Sequence, residues 1–158
     1  MLVTPTMPQV RFHSEEPTAV RRTVLDPEQL ADWVPSACAT VAEHLRLHGI
    51  APAGYPFARY HALPDGEIEA EAGFPVAAPV TDSDQIEPSK LPAGPVLAVW
   101  HTDPDQQLAE TYHTVDDWLD TTHAAPTGDR WEVYHDLPTC DRVGTRIEII
   151  QPITFATT

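Results

Sequence analysis

The second half of the chain repeats the first half at a fixed offset, and this repeat constrains the fold most. Residues 54–61 read Gly-Tyr-Pro-Phe-Ala-Arg-Tyr-His, and residues 128–135, which lie 74 positions later, read Gly-Asp-Arg-Trp-Glu-Val-Tyr-His. The match continues without a gap at the pairs Thr40/Thr114, Val41/Val115, Leu45/Leu119, Ala51/Ala125, Pro52/Pro126, Leu63/Leu137 and Pro64/Pro138. Such a repeat predicts one structural unit used twice. The second copy has Glu132 where the first has Ala58, so we look for function at this difference first.

The composition limits the classes of function. The chain has 158 residues, with 9 Lys and Arg against 24 Asp and Glu, for a formal net charge of −15. This length supports one core, or two small units that share one. Direct binding of nucleic acid is not expected, because phosphate contacts require clustered basic side chains. The acidity is explained most simply by solubility, and a preference for cationic ligands would need a local site.

The sequence also indicates where the protein functions. No apolar run approaches the roughly 20 residues of a membrane span, and the first residues lack the apolar segment of a secretory signal. Cys38 and Cys140 are too few for a disulfide framework, and Cys38 falls on a helical core stripe. We therefore expect a cytoplasmic protein with reduced thiols and no membrane partner.

The first copy is predicted to contain a strand, a helix and a hairpin, after a loose leader over residues 1–9. We expect Pro35 to interrupt the helix, so that its main part starts there. The apolar stripe Val34, Cys38, Val41 and Leu45 has the spacing of a half-buried helix. The expected elements are extended segments at Gln9–Ser14 and Val20–Leu25, a helix start at Asp26-Pro27-Glu28, a main helix from about Pro35 to His48 closed by Gly49, and strands Tyr55–His61 and Glu67–Val76 around a turn at Asp65-Gly66.

The second copy is predicted to have the same order of elements. The segment Ala77–Gly94 is rich in Pro, Ser and Asp and is expected to be the linker between the copies. The later elements are strand Val96–His101, a helix from Asp103-Pro104-Asp105 to about His123, and strands Arg130–Asp136 and Arg146–Ile153. The predicted fold is α+β, a single domain over residues 10–158. Two pseudo-symmetric strand–helix–strand–strand units, about 10–78 and 94–155, carry antiparallel sheets and a ligand cleft between them.

The candidate site follows from the period of a strand, which places Glu132 and Tyr134 on one face. Tyr60 is the counterpart of Tyr134, so a pseudo-twofold axis would bring Tyr60, Glu132 and Tyr134 to one cavity. A carboxylate walled by aromatic rings suits a lipophilic cation, with roughly 0.5–2 kcal/mol from each ring contact. The alternative is that Glu132 lies on a solvated sheet face and the tyrosines are ordinary strand residues.

Two further aromatic residues are candidates for the same pocket. Trp100 lies on strand Val96–His101, and Tyr112 belongs to the helical stripe Leu108, Tyr112, Val115 and Leu119. Either ring serves the core or lines a ligand pocket, and periodicity does not separate the two roles. His44 and His48 lie one helical turn apart, but local sequence fixes no third ligand. No phosphate-binding loop or Cys-x-x-Cys motif occurs, so neither a metal nor a cofactor is expected.

These motifs together resemble the GyrI-like small-molecule-binding domain, which is also the effector-binding part of several AraC- and MerR-type transcription regulators. The resemblance covers about Val10 to Ile153. It rests on Gly49–Gly54 with Phe57 and Tyr60, Glu71–Val76, Leu91–Pro95, His101, Leu108, Trp131–Tyr134 and Pro152-Ile153. It implies that Glu132 faces the ligand. Members often have Gly-Pro-Tyr after the histidine, whereas this chain has Asp103-Pro104-Asp105 there and lacks that ring.

Three functions are open at this point. The first is a stand-alone binding protein for amphipathic, cationic or hydrophobic small molecules such as drugs or toxins, acting alone or with a separate regulator. The second, implied by the resemblance, is a hydrolase that opens strained, cyclopropane-type electrophiles with Glu132 as general base. The third, also implied, is a module that inhibits DNA gyrase by protein contact.

Overall fold

The structure of this α+β domain is a computed structural model, and it describes residues 8–102, 107–135 and 146–155. Two helices accompany a curled antiparallel sheet that has the shape of half a barrel. The helices are α1 (Leu30–Leu47) and α2 (Leu108–Thr122). The strands are β1 (Gln9–His13), β2 (Glu16–Leu25), β3 (Phe57–Ala62), β4 (Ile68–Pro75), β5 (Glu87–Leu91), β6 (Gly94–His101), β7 (Ala124–Pro126), β8 (Trp131–Tyr134) and β9 (Ile147–Phe155).

The strands of the sheet follow the order β1-β6-β9-β8-β3-β4-β2-β5, and β7 pairs with β9 outside this path. At the centre, β3 and β8 are antiparallel neighbours, so the two sequence repeats meet there. Ala58 pairs directly with Glu132, and the flanking pairs are Phe57 with Val133 and Arg59 with Trp131. Each of the residues Ala58 and Glu132 therefore lies opposite its own counterpart in the repeat.

The two faces of the sheet carry separate cores. One face packs against α1 and α2, and its core includes Val41 and Val115 of the helices together with Val99 and Ile149 of the sheet. The opposite face has a smaller cluster, composed of Val20, Phe57, Leu91, Val96, Ala98, Trp131 and Ile150. Because successive residues of a strand point to opposite faces, neighbours such as Trp131 and Glu132 serve different cores.

Helix α1 confirms the predicted apolar stripe and shows that the predicted interruption at Pro35 is wrong. Pro35 lies inside a continuous helix, which is preceded by a 3₁₀ turn over Pro27–Gln29. A proline in a helix loses one backbone hydrogen bond and crowds the preceding turn. Buried residues on both sides of it, Val34 and Ala37 among them, hold the helix together by packing. Tertiary contacts therefore override the local preference.

The predicted end of α1 is confirmed. Gly49 has a φ of +67°, the left-handed conformation that glycine adopts without steric cost. Its N–H donates to the carbonyl of Arg46 at 3.2 Å, and the N–H of Ile50 donates to that of Leu45 at 2.9 Å. This pair of bonds caps the last turn of the helix.

The predicted linker is only partly correct, because Ala77–Gly94 contains strand β5, which pairs with β2. Pro88 made this segment resemble a loop, but a strand at the end of the sheet tolerates proline. Ile86 and Leu91 are buried and attach the segment to the two cores. The predicted helix start at Asp103-Pro104-Asp105 and the loop around Cys140 lie outside the described residues. None of the described helices is long and apolar enough to cross a membrane.

Candidate functional site

Glu132 is the centre of the candidate site and has no exposed surface. Three tyrosine hydroxyls donate to its carboxylate. Tyr134 donates to Oε1 at 2.7 Å, Tyr60 donates to Oε1 at 3.3 Å, and Tyr112 makes a short hydrogen bond to Oε2. We call these four side chains the tyrosine–glutamate cluster. The structure thus brings together four of the five residues that the sequence suggested.

Three different elements position the cluster. Tyr134 lies two residues after Glu132 on β8 and therefore points to the same face. Tyr60 reaches the carboxylate from the neighbouring strand β3, and its hydroxyl lies 3.2 Å from that of Tyr134. Tyr112 comes from α2, which covers this face. Tyr60 and Tyr134 occupy equivalent positions in the two copies of the repeat. They meet because the strands that carry them, β3 and β8, are paired at the centre of the sheet.

The cluster satisfies a buried carboxyl group by hydrogen bonding. A carboxylate removed from water is costly unless donors satisfy its oxygens, and bonds to an ionised acceptor are stronger than neutral ones. Burial raises the pKa of Tyr134 well above 10, and the negative charge of Glu132 raises it further. The Tyr134 hydroxyl therefore remains protonated and continues to donate throughout the neutral range.

A surface cavity with a volume of about 430 Å³ lies next to the cluster. Tyr60 and Tyr112 line it and separate it from the carboxylate of Glu132. The rest of its lining includes the apolar side chains Leu30 and Ile68. The cavity thus combines apolar surface with two tyrosine rings. These rings lie between the cavity and the fully buried carboxylate of Glu132.

Arg130 is a lining residue that sequence reasoning did not find. Its guanidinium carbon lies 5.4 Å from the ring centre of Tyr112. Its Nη2 donates to Asp116 at 2.9 Å, and its Nε donates to Gln151 at 2.8 Å. A cation over the face of Tyr112 shows that this ring already takes part in a cation–π contact. The predicted strand start at Arg130 was the only signal in the sequence for this residue.

Trp100 does not join the cluster. It pairs with Glu148 across β6 and β9, and Glu148 pairs with Val133, whose side chain points away from that of Glu132. The Trp100 ring lies 4.4 Å from the ring of His135. It therefore belongs to the face of the sheet opposite the helices, and the prediction that it lines the same pocket as Glu132 is wrong.

The paired histidines on α1 contact each other. The rings of His44 and His48 stack at 4.1 Å, and Nδ1 of His48 lies 2.8 Å from the carbonyl oxygen of His44. Over the described parts of the chain, no group of three or more His, Cys, Asp or Glu side chains is arranged to hold a metal ion. The i,i+4 spacing that drew attention to these histidines produces a ring stack on the helix surface.

The sequence profile of the GyrI-like small molecule binding domain matches residues 18–153. The chain belongs to this family. The match covers both helices and the central strands β3 and β8, so the tyrosine–glutamate cluster lies inside the matched region. No curated protein matches the chain significantly in sequence.

Solved structures share the GyrI-like fold of this chain. EcmrR in its complex with DNA matches with a TM-score of 0.79 and 17% identity, over 98% of this chain and 59% of the EcmrR chain. This chain thus spans less than two thirds of that protein. The C-terminal domain of EcmrR matches with a TM-score of 0.76 and 17% identity, over 96% and 99% of the two chains.

SAV2435 bound to tetraphenylphosphonium matches with a TM-score of 0.67 and 10% identity, over 94% of each chain. At these identities the similarity shows a common fold alone. DNA gyrase, which the resemblance had suggested as a partner, has no support in these comparisons.

Proposed function

We propose that this domain binds an amphipathic organic cation at the tyrosine–glutamate cluster, for sensing or sequestration of a drug-like or toxic compound. The observation that carries the proposal is the burial of Glu132 among three tyrosine hydroxyls. Hydroxyl groups stabilise a carboxylate through hydrogen bonds, and they are neutral donors. A cation that comes close to Glu132 in this low-dielectric setting gains a strong electrostatic attraction.

The tyrosine rings supply the second part of the recognition. Each ring presents a negative face to a cation, and contacts of this kind contribute roughly 0.5–2 kcal/mol. Tyr60 and Tyr112 combine a ring that lines the cavity with a hydroxyl that reaches Glu132. The guanidinium of Arg130 lies over the ring of Tyr112 and already makes a contact of this kind within the protein.

Access to the carboxylate requires Tyr60 or Tyr112 to move. Both side chains are partly exposed, whereas Tyr134 is fully buried. We propose that an entering cation displaces the hydroxyls of Tyr60 and Tyr112 from Glu132, while Tyr134 keeps the carboxylate in place. Rotation of side chains is faster than rearrangement of the backbone.

The position of the site is consistent with two pseudo-symmetric units. The strand order places β1 opposite β5, β6 opposite β2, β9 opposite β4 and β8 opposite β3 about its centre. We propose that an approximate twofold axis passes between Ala58 and Glu132, with the binding cleft on it. On such an axis, the small side chain of Ala58 leaves room for a single carboxylate and avoids two like charges.

The same geometry favours binding over hydrolysis. A general base must reach a water molecule or substrate proton, at about 2.6–3.2 Å in a productive complex. Glu132 has no exposed surface, and both of its oxygens already accept hydrogen bonds from tyrosine hydroxyls. We therefore assign this buried, hydrogen-bonded carboxylate to cation binding.

Calorimetric titration with a matched pair of ligands tests the proposal. Tetraphenylphosphonium is a lipophilic cation, and triphenylphosphine oxide is a neutral compound with the same kind of aromatic surface. The wild-type protein should bind the cation more tightly. Glu132→Gln keeps the shape of the side chain and removes its charge, so it should weaken cation binding by roughly 1.5–3 kcal/mol, or about 10- to 150-fold.

The neutral ligand provides the control, because its affinity should change little in Glu132→Gln. Equal affinities of the cation for both proteins would show that Glu132 takes no part in recognition. Incubation of the wild-type protein with a cyclopropane-containing electrophile, followed by mass spectrometry, tests hydrolysis separately. Catalytic formation of ring-opened product that depends on Glu132 would contradict a pure binding role.

A further inference from the structure

We propose a second ligand site on the face of the sheet opposite the helices, for a neutral aromatic molecule with one ring and a polar edge that both donates and accepts hydrogen bonds. A cavity of about 220 Å³ lies on this face. Its apolar wall is formed by Phe57, Leu91, Trp131 and Ile150, all of which are buried. Tyr55 also lines the cavity and is exposed, so an aromatic side chain stands at its opening.

The size of the cavity sets the size of the ligand. An apolar cavity of about 150 Å³ in another protein takes up benzene, whereas sites for drug-sized ligands start at about 300 Å³. A cavity of about 220 Å³ therefore fits one aromatic ring with one small polar group. The ring would contact the indole of Trp131, against which the His13 ring already packs edge to face at 5.2 Å.

The polar side of the cavity includes two ion pairs. Nε2 of His13 lies 2.8 Å from Oε1 of Glu16, and its Nδ1 lies 2.8 Å from the carbonyl oxygen of Pro92. Both partners are acceptors, so both contacts are satisfied when the two ring nitrogens of His13 are protonated and the imidazole carries a positive charge. Arg11 forms the other pair through Nη1, at 2.8 Å from Oε2 of Glu148.

These pairs balance the charge of the cavity and so indicate a neutral ligand. His13 forms an ion pair with Glu16, and Arg11 forms one with Glu148. Oε1 of Glu148 also lies 3.2 Å from Nε2 of His135. A charged ligand would have to compete with one member of a pair. A neutral primary amide would leave both pairs intact, since its N–H can donate to the carboxylate of Glu16 and its carbonyl can accept from the guanidinium of Arg11.

This site is separate from the tyrosine–glutamate cluster and does not depend on its function. Trp131 and Glu132 are successive residues of β8, and their side chains point to opposite faces of the sheet. The two cavities share no lining residue. A ligand on one face therefore contacts none of the side chains that line the cavity on the other.

Three probes of nearly identical shape test the proposal: benzamide, benzoate and benzamidinium. The readout is the NMR signal of the tryptophan indole N–H groups. Benzamide should shift the Trp131 signal with a Kd on the order of 1 mM, as expected for so small a molecule. The signals of Trp33 and Trp118, which lie on the two helices, should stay in place and serve as internal references. The two charged probes should bind at least about tenfold more weakly, because they disturb an ion pair.

Matched variants locate the site. Glu16→Gln should weaken benzamide binding several-fold, because the donor loses a charged acceptor. Glu15→Gln is the control, since Glu15 is exposed, lies next in sequence and interacts with Lys90 outside the cavity. Glu132→Gln should leave benzamide binding unchanged, which separates this site from the cation site. The proposal is overturned if benzamide fails to shift Trp131, if either ion binds more tightly than benzamide, or if Glu16→Gln and Glu15→Gln behave alike.

Discussion

The two faces of the sheet hold buried glutamates by different means. On the face covered by the helices, Glu132 is fully buried and accepts hydrogen bonds from three tyrosine hydroxyls. On the opposite face, Glu71 and Glu148 are 5% and 4% exposed and form ion pairs with basic side chains of the chain. Glu71 lies in one row between Arg22 and Arg59, across three neighbouring strands.

This difference separates a structural role from a binding role. An arginine beside a buried carboxylate balances its charge inside the protein, so the pair is complete without a ligand. Tyrosine hydroxyls satisfy the oxygens of a carboxylate by hydrogen bonding and contribute no positive charge of their own. We therefore expect Glu71 and Glu148 to matter for stability and Glu132 to matter for ligand recognition.

The largest effect on stability is expected from Glu71→Ala. The substitution leaves the largely buried guanidinium of Arg59 without its counter-charge, and Arg22 loses a bond of 2.8 Å. Breaking a buried pair costs about 3–5 kcal/mol, and partial exposure of Arg22 reduces this to roughly 2–4 kcal/mol here. Chemical denaturation measures the loss. Glu69→Ala, on the same strand but exposed, should change the free energy of unfolding by less than about 0.5 kcal/mol. Similar losses of stability in the two variants would contradict the structural role of Glu71.

A smaller loss of stability is expected from Tyr134→Phe. The variant removes the hydroxyl that donates to Glu132 at 2.7 Å in a fully buried position, at a cost of about 1–2 kcal/mol. Tyr60→Phe should cost less, because its bond to Glu132 is 3.3 Å long and the side chain is partly exposed. Denaturation curves of the two variants provide the comparison, and a larger loss for Tyr60→Phe would contradict the proposed order.

The smallest expected effect is the pH dependence of the ion pair between His13 and Glu16. The hydrogen bond to Glu16 raises the pKa of His13 above 6.5, although burial opposes this change. A raised pKa means that the folded state binds the proton more tightly, so the stabilisation is fully present below pH 6.5 and is lost as pH rises through the pKa of the folded state. The change should be within about 1 kcal/mol, since Glu16 is partly exposed. Unfolding measured from pH 5.5 to 8.5 should show this slope in the wild type and a smaller slope in Glu16→Gln. An unchanged slope in the variant would assign the effect to another group.

The sequence predicted the centre of the fold because its signals are periodic. The stripe of α1, the hairpin of β3 and β4, and the match between Tyr60 and Tyr134 depend on local spacing, which the structure preserves. The difference between Ala58 and Glu132 in the repeat pointed to the residue that the structure buries at the centre of the sheet.

The remaining features depend on contacts between distant residues. Arg22 and Glu71 are 49 positions apart, so strand pairing alone determines that they meet. Helical spacing placed Tyr112 on a buried stripe but did not show that its hydroxyl reaches Glu132. Strand β5 was not predicted because Pro88 and Ser89 are typical of loops, and its pairing with β2 is a tertiary contact. Trp100 was grouped with Glu132 because the sequence does not show which face of β6 it occupies.

The most direct test of the contrast between the two faces is the affinity of tetraphenylphosphonium for Glu132→Gln and Glu148→Gln, measured by calorimetry under the same conditions. Both variants remove one buried negative charge, on the neighbouring strands β8 and β9. The expected result is a loss of roughly 10- to 150-fold for Glu132→Gln and an affinity close to that of the wild type for Glu148→Gln. Equal losses in the two variants would contradict the account, because they would show that overall negative charge, and not the tyrosine–glutamate cluster, attracts the cation.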